Sequence, residues 1–387
     1  MLASITTPRI MLIGGGAVAE VAAVMAKLGC SKPLVVSDPY MRDSGKIAHV
    51  TDVLDTASIA WQLFADTVPE PSDDVVIVGA DIINKGDFDC VIALGGGSPI
   101  DTAKAMTLLA RGGGKISDYK VPQQPNEPGL PIIAIPTTAG TGSEVTKVIV
   151  ITDKASDEKM LIMGLACLPA AAIVDYELTY SVPYRTTADT GIDSLTHAIE
   201  AYVSAKHNPY TDTLALSAMG LIARNIRSAC NEPDNTSARE AMMLAATQAG
   251  MAFSNASVCL VHGMSRPIGA FFHVAHGLSN AMLLPAVTAF SASFAMERYA
   301  DCARAMGLVK RGSDTSAAVK SLLAELQQLN KDLQVPSPKE YGIDEEKYFS
   351  LLTTMAEQAM ASGSPNNNPR VPSVQEMAAL YKEVWQG

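Results

Sequence analysis

Cys90-Val-Ile-Ala-Leu-Gly-Gly-Gly-Ser-Pro-Ile-Asp-Thr-Ala-Lys104 is an apolar run, three glycines and the opening of a helix. Strand, glycine turn and helix in that order are half of a βαβ unit, so this stretch decides the fold. Cys90–Leu94 reads as a buried strand and Pro99–Ala110 as the helix that covers it. Ser98 can cap that helix, Pro99 suits its first position, and Asp101 completes an S-x-x-D capping box. Three consecutive glycines let the backbone approach a ligand closely, and a helix start offers free N–H groups at the positive end of its dipole. Gly95, Gly96, Gly97 and Ser98, with Asp101 beside them, are therefore candidates to hold a pyrophosphate.

The same rhythm extends on both sides. Ile10–Ile13 reads as a strand, Ala17–Leu28 as a helix, Pro33–Ser37 and Ile59–Phe64 as strands, Val75–Ile83 as a helix and Pro131–Pro136 as a strand. The implied architecture is a mainly parallel, Rossmann-like sheet covered by helices over residues 1–182. After Pro183 the texture changes to long Ala/Leu/Met-rich segments: Thr211–Ala229, Ala238–Phe253, Val287–Met306 and Ser316–Leu333. Their apolar positions recur at helical spacing, which predicts an all-helical second domain over 183–387. Ser362–Pro372 reads as a surface loop before a last short helix.

Gly14-Gly15-Gly16-Ala17-Val18-Ala19 is a second, weaker dinucleotide-type turn, and Asp38 ends the next strand. An acid there can accept from ribose hydroxyls and repel a 2′-phosphate, which favours NAD over NADP. Pro136–Glu144 follows another strand and is dense in hydroxyls and glycines, so it can wrap a polar ligand.

The chain has only six histidines in 387 residues, and four lie in two short stretches. Asp193 and His197 stand four apart on a predicted helix and share a face. His262, His273 and His276 sit among apolar residues and glycines, where a buried imidazole needs a partner. Three histidines and a carboxylate suit Fe(II) or Zn(II), with positions left for water or substrate.

The net charge of −11 argues against nucleic acid and anionic membranes as partners. No apolar run reaches the roughly 18–20 residues of a membrane span, and no signal-peptide layout opens the chain. The six cysteines form no C-x-x-C pair and are expected to be reduced, as in a cytoplasmic protein.

Six segments in order, Gly95–Lys104 (GGGSPIDTAK), Pro136–Thr146 (PTTAGTGSEVT), Ala172–Pro183 (AIVDYELTYSVP), Gly191–Tyr202 (GIDSLTHAIEAY), Gly250–His262 (GMAFSNASVCLVH) and His276–Pro285 (HGLSNAMLLP), carry a family resemblance. The chain resembles the iron-containing (group III) alcohol dehydrogenases, whose fold is shared with dehydroquinate synthase. The resemblance implies a dinucleotide-binding α/β domain, an all-helical metal-binding and catalytic domain, and an active site in the cleft between them. It implies Asp193, His197, His262 and His276 as ligands of a divalent metal, iron ahead of zinc. It places Gly96, Gly97 and Ser98 on the pyrophosphate, Asp38 on the adenosine ribose, Thr137 and Thr138 by the adenine, and Thr146, Lys159 and Leu178 along the rest of NAD.

The expected chemistry is hydride transfer between nicotinamide and a small alcohol or aldehyde. Many relatives carry a further histidine four residues after the third ligand, proposed as a proton relay. Here that position is Arg266, which cannot deprotonate usefully. His273 is the substitute candidate, and Arg266 becomes a candidate to grip an anionic group on the substrate. Phe253, Met251 and Phe272 are candidates to line an apolar pocket, or to pack the core. A lyase of the dehydroquinate-synthase type and a non-catalytic NAD- or metal-binding protein are the competing readings. The family suggests a homodimer or larger assembly.

Overall fold

The computed structural model describes residues 2–156 and 158–387. It divides into two compact units, Ile5–Val182 and Pro183–Gly387.

The first unit runs β1 (Ile10–Ile13), α1 (Val21–Leu28), β2 (Pro33–Val36), α2 (Pro39–Asp43), α3 (Ala48–Thr56), β3 (Gln62–Phe64), α4 (Asp73–Lys85), β4 (Cys90–Gly95), α5 (Gly97–Gly112), β5 (Ile132–Pro136), β6 (Val148–Asp153), β7 (Glu158–Met163) and β8 (Ala171–Val174). Six strands form one sheet in the order β1-β8-β5-β4-β2-β3, every pair parallel. β6 and β7 form a separate antiparallel pair.

Side-chain alternation explains why both faces are covered. Val35, Ile92, Leu94, Ile133 and Ile135 pack with Val21, Val24 and Met25 of α1 and Val50 and Leu54 of α3. Their neighbours Leu34, Val36, Val91, Ala93, Ile132 and Ala134 pack the other way, with Ile83 of α4 and Ile100, Ala103 and Met106 of α5. A parallel strand buried on both faces reads as a continuous apolar run, as Cys90–Leu94 does. Burying each large side chain contributes about 1.5–3 kcal/mol, so truncating Ile92 to Ala should cost roughly 2–5 kcal/mol.

The chain leaves β2 toward β3 on one side and leaves β4 toward β5 on the other. That reversal opens a crevice beyond the carboxyl ends of β2 and β4, where ligands bind in open parallel sheets. Asp38 follows β2, and Gly95 ends β4.

The second unit is helical: α6 (Tyr184–Val203), α7 (Pro209–Asn231), α8 (Thr236–Ala256), α9 (Leu260–Phe272), α10 (His276–Ala292), α11 (Met296–Ala305), α12 (Thr315–Asp332), α13 (Pro338–Tyr341), α14 (Glu345–Ser350), α15 (Leu352–Ala361) and α16 (Val374–Val384). α6 is buried along nearly its whole length and packs against α7, α8 and α10. A helix buried all round carries polar side chains only where they have partners, and α6 carries Asp193, His197 and Glu200.

Four expectations need correction. The turn Ala17–Glu20 is 3-10, and the α-helix starts at Val21. The strand expected over Ile59–Phe64 shrinks to Gln62–Phe64. The helix expected over Val287–Met306 breaks after Ala292 and restarts at Met296, with 3-10-type bonds from Phe294 N to Ser291 O and Ala295 N to Ala292 O. Ser362–Pro372 is not a simple surface loop: Ser364, Asn367 and Asn368 are buried. The Asn367 amide donates to Ser257 Oγ and Val258 O, which ties this segment to the α8–α9 connection.

Candidate metal centre and nucleotide turns

Three helices bring four donors together. α6 presents Asp193 and His197 one turn apart, α9 supplies His262 in its first turn, and α10 begins at His276. One ligand atom from each lies within 4.8 Å of all the others. Asp193 Oδ1 is 3.6 Å from His262 Nε2 and 3.7 Å from His276 Nε2, and Asp193 Oδ2 is 3.9 Å from His197 Nδ1. Metal bonds of about 2.0–2.2 Å in a tetrahedral site hold their donors about 3.4 Å apart, so this spacing fits one ion. Asp193, His197 and His262 are buried, whereas the His276 side chain is 44 % exposed. The cluster therefore opens on the His276 side.

Asn280, one turn after His276, shows what the cluster accepts. Its Nδ2 lies 2.6 Å from Asp193 Oδ1 and 3.2 Å from both His262 Nε2 and His276 Nε2. One carboxylate oxygen and two imidazole nitrogens converge on one small electropositive group, the kind of donor set a cation needs. The Asn280 Oδ1 atom is buried with no hydrogen-bond partner. Burial opposes charge on Asp193, yet the imidazoles of His197, His276 and His262 hold its carboxyl below the usual carboxylate range. It is thus available as an anionic ligand.

Glu200 is a second finding that the sequence reading missed. It lies on α6 and is only 3 % exposed. One oxygen accepts from Cys259 N at 2.9 Å and stands 2.6 Å from His262 Nδ1, and the other accepts from Val261 N at 2.6 Å. Glu200 therefore caps the start of α9 and fixes the His262 ring so that Nε2 faces the cluster. Burial lowers the His262 pKa, but Glu200 and Asp193 outweigh it and raise the value to about 9. Phe253 stacks on His197 with ring centroids 4.2 Å apart and 14° between planes. Phe272 packs instead against Tyr348.

The glycine turn of the first unit is built for close approach. Gly95 has φ 149°, and a Cβ there would meet Pro99 Cγ at 2.6 Å. A Cβ on Gly97 would meet Thr141 Cγ2 at 2.8 Å, and one on Gly96 would rest on Thr138 at 3.5 Å. The turn and the Thr137–Thr141 segment thus lie against each other, and Thr137 N donates to Gly95 O at 3.0 Å. Gly96 caps the helix without a side-chain bond, so the N–H groups at the start of α5 remain for a ligand. The Gly14 turn differs, because Asp175 Oδ2 already accepts from Val18 N at 3.1 Å.

The expected Ser98–Asp101 capping box is corrected. α5 starts at Gly97, which puts Ser98 inside the helix, where its hydroxyl donates to Pro69 O. Asp101 accepts from Ser143 Oγ at 2.5 Å and Val150 N at 2.9 Å. Buried Lys104 Nζ donates to Ser143 Oγ, Thr146 O and Val148 O, each at 3.0 Å. Asp101, Lys104 and Thr146 therefore pin β6 and the preceding polar segment to α5. Lys159 pairs with Glu70 at 2.7 Å, and Leu178 packs in the core beside Ile173. Asp38 caps α2 through Met41 N at 2.8 Å.

His273 lies outside the four-residue cluster. It closes α9 in the left-handed conformation at φ 54°, and its side chain is exposed. Arg266 lies one turn beyond His262 on the same helix, and its Nη1 donates to Ser364 Oγ at 3.1 Å.

Comparison with known families gives a direct result. The iron-containing alcohol dehydrogenase model matches residues 8–176, and the C-terminal model of the Fe-containing alcohol dehydrogenase family matches 187–385. The chain belongs to the iron-containing alcohol dehydrogenase family. An NAD-dependent methanol dehydrogenase of Bacillus methanolicus is 37% identical over 378 residues, covering 97% of this chain and 98% of that protein. The structure of a 1,3-propanediol oxidoreductase superposes with TM-score 0.95 at 34% identity, covering 99% of this chain and 100% of the other. That of sulfoacetaldehyde reductase from Bifidobacterium kashiwanohense, in complex with NAD+, gives TM-score 0.88 at 30% identity, with 99% of each chain covered.

The resemblance read from six motifs, the Rossmann-like parallel sheet and the all-helical second half are all borne out. As a member of this family the chain is an oxidoreductase of the alcohol dehydrogenase class. Among the described residues no single helix is long and apolar enough to cross a membrane.

Proposed function

We propose that the chain interconverts small aldehydes and alcohols with NAD(H) at one divalent ion, iron ahead of zinc, held by Asp193, His197, His262 and His276. The convergence of four donor atoms within 4.8 Å, from three helices, carries this reading. Bound there, the ion would supply Lewis acidity toward a carbonyl or alkoxide oxygen, while bound nicotinamide would give or take the hydride.

The protein's own groups orient that chemistry. Glu200 holds His262 with Nδ1 turned away from the cluster. Asn280 holds Asp193, and the Phe253 ring holds His197 in plane. Gly95, Gly96 and Gly97 let the turn pack closely on Pro99 and the Thr138–Thr141 segment, and the N–H groups at the start of α5 would receive a pyrophosphate, with Thr137 and Thr138 on the neighbouring wall. The carboxylate of Asp38, at the end of β2, supports NAD over NADP because it would repel a 2′-phosphate. Arg266 stays charged and moves no proton. Exposed His273 is our candidate for proton exchange with water.

Relatives that act on methanol, 1,3-propanediol and sulfoacetaldehyde support a short substrate. Six unpaired, buried cysteines support a reducing compartment such as the cytoplasm, and a homodimer or larger assembly is the corresponding expectation in solution. The test is NADH consumption by metal-loaded protein with short aldehydes. Activity that depends on added Fe2+ or Zn2+ and disappears in His262→Ala is expected. NADH oxidation that ignores metal and survives that change would overturn the proposal.

A further inference from the structure

Arg266 is an arginine without an acid. Among the described residues no carboxylate lies within 4.0 Å of its guanidinium, and its one hydrogen bond goes to the neutral Ser364 hydroxyl. The acid that acts on it from farther away is Glu200. Both Glu200 oxygens are taken by Cys259 N, Val261 N and His262 Nδ1. Burial disfavours the arginine's charge and brings its pKa down to about 10. A partly buried cation with most donors unused is costly unless something supplies the anion.

The surroundings are built to keep it so. Gly263 lacks a Cβ, which would fall 2.8 Å from Pro365 Cδ, so the Ser364–Pro365 segment can lie directly on α9. That close approach brings Ser364, 4 % exposed, onto the guanidinium. The serine oxygen accepts from arginine, which leaves its own hydrogen to donate. Arg266 follows His262 by four residues, so both project from one face about 6 Å apart along the axis.

We propose that Arg266 and Ser364 form a receptor for an anionic group on the substrate, and that the preferred aldehyde is short and bears a carboxylate, sulfonate or phosphonate. The proposal rests on the reading of His262 as part of the reducing site. The guanidinium fork engages two oxygens of the anion, and the serine hydroxyl donates to the third oxygen of a sulfonate or phosphonate or to a second lone pair of a carboxylate, while the carbonyl end reaches the cluster one helical turn away. An aldehyde with the charge one or two carbons from the carbonyl matches that spacing.

The experiment uses metal-loaded protein with NADH and four aldehydes: sulfoacetaldehyde, phosphonoacetaldehyde, succinic semialdehyde and neutral propionaldehyde. Wild type should favour at least one anionic aldehyde over propionaldehyde in kcat/KM. Arg266→Gln should lower that ratio about 100-fold, with Arg266→Lys between. The anion that loses most identifies the charged group. Isethionate, the alcohol of sulfoacetaldehyde, provides a readout without turnover: its dissociation constant by calorimetry should rise at least tenfold in Arg266→Gln. An unchanged ratio with unchanged isethionate binding overturns the receptor. Wild type that reduces none of the four aldehydes counts against the oxidoreductase reading instead, and isethionate binding still decides the receptor.

Discussion

Replacing Glu200 by Gln tests how the cluster is held. The side chain keeps its size but loses its charge and one acceptor. It now has a single oxygen to serve Cys259 N, Val261 N and His262 Nδ1. The least harmful orientation turns the new NH2 toward Val261 N and leaves the oxygen on Cys259 N and His262. One charge-assisted bond is then lost and two donors face each other, at about 1.5–3 kcal/mol. Removing a buried negative charge returns part of its desolvation cost. Three short bonds to the native carboxylate outweigh that gain, so the net change is destabilising. With an unfolding entropy of about 2.1 cal/mol/K per residue, a chain of 387 residues loses about 1.2 °C per kcal/mol, so the melting temperature should fall by roughly 2–4 °C. His262 also loses the anion that makes it basic, and metal affinity should fall about tenfold, as for other groups that orient a ligand from behind. Competition against a fluorescent zinc chelator reads the affinity, and calorimetry reads the melting temperature. Unaltered affinity together with an unaltered melting temperature would refute the role given to Glu200.

Stripping metal with a chelator should lower the melting temperature, and adding Zn2+ to 100 times its dissociation constant should restore about 2.7 kcal/mol; a melting curve indifferent to both steps would count against an ion at the cluster. Asp38→Ser should raise the kcat/KM ratio of NADPH to NADH by at least tenfold, since it removes the charge that opposes a 2′-phosphate, and an unmoved ratio would clear Asp38 of that role. Burial pushes the Cys230 thiol up to about 11 and the Cys167 thiol up to about 12. Both should resist iodoacetamide at pH 8. Because the folded values lie above the unfolded one, near 9, their contribution to stability is complete below pH 9 and is lost as pH climbs to 11–12; denaturation that does not become easier over that window contradicts the assignment. Lys104→Met should release β6 from α5 and weaken NAD binding along with stability, because Asp101 and three acceptors lose a buried cation; equal NAD affinity would show the pin to be irrelevant to the turn.

Much of this was legible in the residues. Continuous apolar strands ending in glycine announced the parallel sheet, since strands covered on both faces cannot alternate. Scarce histidines in apolar company announced the cluster, and the helix carrying Asp193 and His197 followed from their spacing. Glu200 was equally accessible in principle: 193, 197 and 200 follow the i, i+4, i+7 rule for one helix face. Asn280 repeats the signal, four residues after His276. What hid them was their ordinary chemistry, because a lone Glu or Asn on a helix usually faces water. Ser98 and Asp101 misled for the opposite reason. Their spacing satisfied a local capping rule, but Gly97 already lies in the helix, and Asp101 turned to Ser143 and Val150 N, far along the chain. The break between Ala292 and Met296 has no glycine or proline to mark it. The Asn-rich segment near Asn367 looked solvated, yet its amides satisfy buried backbone.

One diffraction measurement bears most directly on the whole account: crystals grown with Fe2+ or Zn2+, with data collected across the metal's absorption edge. A single anomalous peak about 2.0–2.2 Å from a carboxylate oxygen of Asp193 and ring nitrogens of His197, His262 and His276 is the predicted result. A metal peak bound elsewhere, with those four side chains holding no ion, would contradict it.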